Sequence, residues 1–87
     1  MGTIDEARAV AAGFHQQTEQ TMQVLAGAGQ AVATAQVAFL GRLGRTSHVK
    51  VIEVEARCQA ARQKIAEAIQ ALDAARQAAD QFRASLS

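Results

Sequence analysis

The sequence predicts an all-α chain, an antiparallel two-helix hairpin of coiled-coil type that completes a four-helix bundle by dimerisation or with a partner hairpin. Three observations carry this. The chain has no Pro, Trp or Tyr and only three Phe among 87 residues, which excludes an ordinary aromatic-rich core, while its wealth of Ala, Gln, Glu and Arg favours helices. Two long stretches repeat apolar residues at alternating steps of three and four, the period of one helical face. Between them lies one glycine-containing stretch, Phe39 to Val49.

The first helix is expected over about 4–41. Thr3 followed by Glu6 reads as a capping box, and Asp5 with Glu6 suits the positive end of a helix dipole. Its stripe runs Ile4, Ala7, Ala11, Phe14, Thr18, Thr21, Leu25, Ala28, Val32, Ala35 and Phe39 without a slip. A turn over about 42–47 follows. Gly41 and Gly44 can adopt the left-handed conformation that ends a helix, and Thr46 or Ser47 can cap the next one. The second helix, about 48–85, carries Val51, Val54, Cys58, Ala61, Ile65, Ala68, Leu72, Ala75, Ala79, Phe82 and Leu86. Each helix would be nearly ~60 Å long, too long for a compact monomer and suited to a hairpin.

Folding one stripe on the other pairs positions whose numbers add to 89 or 90. Phe14 then meets Ala75, Ala7 meets Phe82, Leu25 meets Ile65 and Val32 meets Cys58, large against small or medium as interdigitated packing requires. Met22 and Ile69 widen the seam. Thr18 and Thr21 interrupt it and can bond back to carbonyls one turn earlier. Gly27 and Gly29 flank Ala28, which faces Ala61, and make a thin waist. Apolar residues are left over: Val10, Val24, Ala31 and Ala38 beside the seam, Ala12, Ala26, Ala33 and Leu40 on the other shoulder, Ile52 and Ala66 on the second helix. Such stripes call for a partner. The candidate interface is Val10, Met22, Val24, Ala31, Leu40, Ile52 and Ile69.

No chemistry-bearing constellation emerges. His48 lies in the turn and His15 about 40 Å along the first helix, so they cannot share a metal, and both are expected to face solvent. No enzyme activity, metal or cofactor is expected. The single Cys58 cannot form an internal disulfide and is expected on the seam as a small hydrophobe. Glu53, Glu67, Asp73 and Asp80 fall outward, with Glu53–Arg57 and Arg76–Asp80 at ion-pair spacing. Net charge is +1, too small for a field that would hold nucleic acid or a membrane surface.

The basic residues need a separate account. Arg42, Arg45 and Lys50 stand in residues 41–50 without an acid and are the candidate anion contacts. Arg57, Arg62, Lys64, Arg76 and Arg83 lie beside the second seam, where their stems can cover apolar shoulders. No aromatic is available for base stacking, which disfavours nucleic acid. No stretch is expected to reach the ~20 apolar residues of a membrane span, and no cleaved signal precedes the first helix.

The hairpin length and Phe39-Leu40-Gly41 just before the turn resemble the WxG family, small helical hairpins that accompany type VII secretion in actinobacteria and Firmicutes. In that family Trp-x-Gly marks the turn between two helices of about forty residues. The closing helix is also similar to that of small actinobacterial WxG-like proteins. The family's C-terminal Tyr-x-x-x-Asp/Glu export signal is represented only by Phe82 and Leu86, so its acid is missing. The resemblance implies a secretion-associated protein that dimerises or pairs with the helical domain of a secreted effector by helix-in-groove burial. It implies that Phe39 locks the turn and that Val10, Val24 and Leu40 contact the partner. The expected location is the cytoplasm, with any export proceeding without a cleaved signal. The alternatives are a structural subunit of a larger helical assembly and, less favoured, an anionic-surface or nucleic-acid binder using the basic turn.

Overall fold

The structure, a computed structural model, describes residues 2–43 and 48–86. Two helices pack along each other, α1 over Thr3–Leu43 and α2 over Val49–Ser85, with no strand among the described residues. The molecule is a rod of 65 × 15 × 13 Å. It is an all-α helical hairpin.

The helix ends differ from expectation in instructive ways. α1 begins at Thr3 rather than after it, because the Gly2 carbonyl accepts the N–H groups of Asp5 at 3.1 Å and Glu6 at 3.3 Å. α1 also runs through Gly41 to Leu43, so Gly41 is not the residue that ends it. Gly44, Arg45, Thr46 and Ser47 lie outside the described residues. The cap of α2 is His48, whose Nδ1 accepts the Lys50 N–H at 3.0 Å from an extended backbone. At the far end, Arg8 Nη2 donates to the Leu86 carbonyl at 3.1 Å, a cation placed at the negative end of α2.

The register also shifts. His15 meets Asp80, Glu19 meets Arg76, and Gly29 lies against Ile65. Numbers of facing residues therefore add to 94 or 95, about five residues from the expected pairing. Two causes are visible. α1 extends past Gly41, which moves the reversal toward α2, and the new alignment brings charges on the two helices within reach of one another.

The expected seam survives better on α2 than on α1. Ala7, Ala11, Thr18, Leu25 and Val32 are buried or half-buried on α1, but their alternates are His15, Met22, Gly29 and Gln36, and Ile4, Thr21, Ala28, Ala35 and Phe39 are exposed. Phe14 is 40% exposed. On α2, Val51, Cys58, Ile65, Ala68, Leu72, Ala75, Ala79 and Leu86 are half-buried as expected, joined by Ile69, Asp73, Arg76 and Asp80, while Val54, Ala61 and Phe82 lie exposed. Thr18 returns its hydroxyl to the carbonyls of Phe14 at 2.9 Å and His15 at 2.8 Å, so a buried polar side chain is satisfied within its own helix. Thr21 does the same to Gln17 at 2.8 Å.

Candidate functional site

Because the seam is one residue out of phase with the apolar stripe, the hairpin has two unlike long faces. Residues 15, 19, 26 and 29 of α1 share one side with 69, 73, 76 and 80 of α2, as the contacts between the helices require. Residues 14, 21, 28 and 35 therefore share the opposite side with 61, 68, 75 and 82.

The first face is polar. His15, half-buried rather than solvent-facing, holds both Asp80 oxygens from Nδ1 at 2.9 and 3.0 Å, and its Nε2 stands 3.6 Å from Glu19 Oε1. Arg76 bridges Glu19 and Asp73. It therefore does not make the expected pair with Asp80, which approaches Arg83 instead at 3.9 Å. Toward the turn, the missing side chain of Gly29 opens a recess of about 330 Å³ over Ala26, Ile65, Ala66 and Ile69, rimmed by Gln30, Gln59, Arg62 and Gln63. The thin waist is thus at Gly29 against Ile65, not at Ala28 against Ala61.

The second face is apolar. On α1 it carries Val10, Phe14, Thr21, Val24, Ala28, Ala31 and Ala35, and on α2 Val54, Ala61 and Phe82 with the half-buried Ala68 and Ala75, while Arg57 and Lys64 stand at its α2 edge and Lys50 and Glu53 flank Val54 near the turn. Val10 and Val24 are 72% and 71% exposed, and Phe82 is 52% exposed. Large groups stand at the two ends, with Phe14 and Phe82 near the termini and Phe39 and Val54 near the turn. Alanine fills the middle. Small residues let a further helix approach closely, whereas the large side chains that grip a lipid interface are few.

The residues expected to meet a partner divide between locations. Val10, Val24 and Ala31 lie on or beside the apolar face, and Ile52 is exposed near the turn. Met22, Leu40 and Ile69 are half-buried on the hairpin's other side, with Ile69 lining the Gly29 recess. Of the candidate anion contacts, Arg42 occupies the last turn of α1 and Arg45 lies outside the described residues. Lys50 reaches Glu53 at 3.1 Å, and Glu53 also sits 3.6 Å from Arg57, so this basic segment has an acid in space that it lacks in sequence.

No charged residue occurs from Gln20 to Gly41, and an 18-residue window of α1 reaches a mean hydropathy of 1.4. This corrects the expectation that no stretch is apolar enough to span a membrane: α1 qualifies by length and composition, though Gln23, Gln30 and Gln36 fall within its uncharged run. Among the described residues no group of three His, Cys, Asp or Glu is placed to hold a metal. The chain matches no family model, no curated protein and no solved structure, so its own geometry carries the functional reading.

Proposed function

We propose that the chain is a non-enzymatic helical interaction module whose apolar face docks another helix or hairpin to close a four-helix bundle, by homodimerisation or with a helical domain of a different protein. The observation that carries this is the alanine-rich apolar stripe running along the rod, uncharged on α1 from Gln20 to Gly41. Surface area supports it: the hairpin exposes 6459 Å², whereas a compact protein of 9.2 kDa exposes about 4,900 Å². Covering a face of 65 by 15 Å removes roughly 1,000 Å² from each partner, an interface of the size stable complexes use. The resemblance of Phe39-Leu40-Gly41 to Trp-x-Gly, here within the last turns of α1 rather than at the reversal, supports a secretion-associated setting, with a secreted effector's helical domain as the partner.

A second reading, a structural subunit of a larger helical assembly, is favoured by the Gly29 recess. It offers a further docking position on the opposite side of the rod.

Light scattering on the purified chain tests the proposal. The expected mass is a multiple of the monomer's, and Val24→Glu or Ala28→Glu should weaken association at least tenfold while far-UV circular dichroism stays unchanged. A chain that remains monomeric at millimolar concentration and captures no helical partner would sink it.

A further inference from the structure

We propose that the apolar face prefers, over a second copy of this chain, an amphipathic helix of another protein that carries an acidic residue at every seventh position along one flank. This rests on the docking reading and names the chemistry of the partner. Lys50, Arg57 and Lys64 stand seven residues apart on α2, so they form one row beside the apolar stripe, with neighbours roughly 10 Å apart. The row continues as Ala71, Ala78 and Ser85, without charge. Its bases therefore occupy only the turn half of the edge.

The row is open to a partner. The Lys50 and Arg57 side chains are 77% and 81% exposed, and both approach Glu53, at 3.1 and 3.6 Å. Lys64 is exposed and makes no ion pair among the described residues. Three bases beside one acid leave this edge two positive charges in excess. Between Lys50 and Arg57 a hollow of about 350 Å³ lies against Val54 and Cys58, room for one large apolar side chain of the incoming helix. Helices packed side by side repeat their contacts every seven residues. Acids in one such row of the partner then reach successive bases while its apolar row covers the stripe.

A second copy offers no such acids. Two identical hairpins that cover this whole face are related by a two-fold axis lying either along the rod or across it. With the axis along the rod, the basic row lies over the α1 edge of the copy at the same level, where Ala31 and Ala38 stand within the uncharged run from Gln20 to Gly41. With the axis across the rod, it lies over the terminal half of the copy's α2, where the same row reads Ala71, Ala78 and Ser85. In both, the bases meet neutral side chains. An acidic helix supplies the missing charges, and because these pairs sit at the rim they act chiefly on encounter rate and on the choice of partner.

Two synthetic helices test this on the full chain. Each carries a Leu/Ala stripe four heptads long, flanked at every seventh residue by Glu in one and by Lys in the other. Binding is read by anisotropy of the labelled peptide, stoichiometry by light scattering and folding by circular dichroism. The Glu helix is expected to convert the self-associated chain into one-to-one complexes and to bind about tenfold more tightly than the Lys helix, a gap that narrows in about 0.5 M salt. Arg57→Glu combined with Lys64→Glu should reverse the preference with helicity unchanged. Equal binding of the two helices, or a Glu preference that survives the double reversal, overturns the proposal and leaves docking untouched. If neither helix binds while the chain still self-associates, the proposal falls and the second copy is the occupant. If neither binds and the chain is monomeric, the docking reading falls with it.

Discussion

Gly27 and Gly29, two residues apart on α1, meet different surroundings. A Cβ on Gly27 finds nothing within 4 Å, and one on Gly29 finds Ile65 Cγ2 at 3.6 Å, an ordinary van der Waals distance. Both Gly27→Ala and Gly29→Ala should stabilise the hairpin by about 1 kcal/mol through helix propensity, a rise in Tm of about 4 to 8 °C for a domain this size. Ala28→Leu is more discriminating. The sequence-derived seam buries Ala28 against Ala61 and predicts a clash, whereas the exposed Ala28 of the structure predicts a stability change under about 0.5 kcal/mol in the monomer. Thermal melts at low concentration separate the two. His15 was the least legible residue. It stands outside the expected apolar seam and so reads as solvent-facing, and only the register brings Asp80 to it from the far end of the chain. With side chains 33% and 34% exposed, the pair's coupling in a double-mutant cycle with His15→Ala and Asp80→Ala should stay below about 1 kcal/mol.

At the scale of the helices, existence and approximate extent were legible because the apolar alternation is long and unbroken and no Pro interrupts it. Phase and register were not. A stripe broader than one seam fits two neighbouring choices of inward face, and the choice falls to groups that periodicity ignores: His15, Arg76 and Asp80, which reach across, and Gly29, which lets Ile65 approach. Arg76 shows the consequence. Its side chain is 24% exposed and bridges two acids on different helices, but those acids are 47% and 40% exposed, so Arg76→Ala should cost no more than about 1 kcal/mol. Urea unfolding measures it. Gly41→Ala should lengthen the life of the last turn of α1, seen as slower amide exchange at Arg42 and Leu43, because Ala holds helix better than Gly by about 1 kcal/mol.

For the whole molecule, the radius of gyration is 19.5 Å, against about 12 Å for a compact chain of this length. Small-angle scattering under monomeric conditions should return the rod's value. Side-by-side pairing on the apolar face should double the forward scattering with little change in maximum dimension, whereas end-to-end pairing would lengthen it well beyond 65 Å. The rod also explains why, among the described residues, only Ala11 and Thr18 are buried: two helices in contact share one seam, and no third surface shields the rest. The need for a partner was readable from the excess of apolar stripe over seam. Which stripe is offered to it was not, since the same residues served as the expected interior.

The uncharged run from Gln20 to Gly41 has a consequence for biogenesis. The exit tunnel encloses the residues most recently joined, so this run clears the ribosome while much of α2 is still inside it, and at about 5–20 residues per second the wait for the whole of α2 lasts seconds. For that interval the nascent chain displays an uncharged, alanine-rich helix without the helix that lies along it in the finished hairpin. A ribosome stalled near Asp80 would therefore present targeting factors and chaperones with α1 alone.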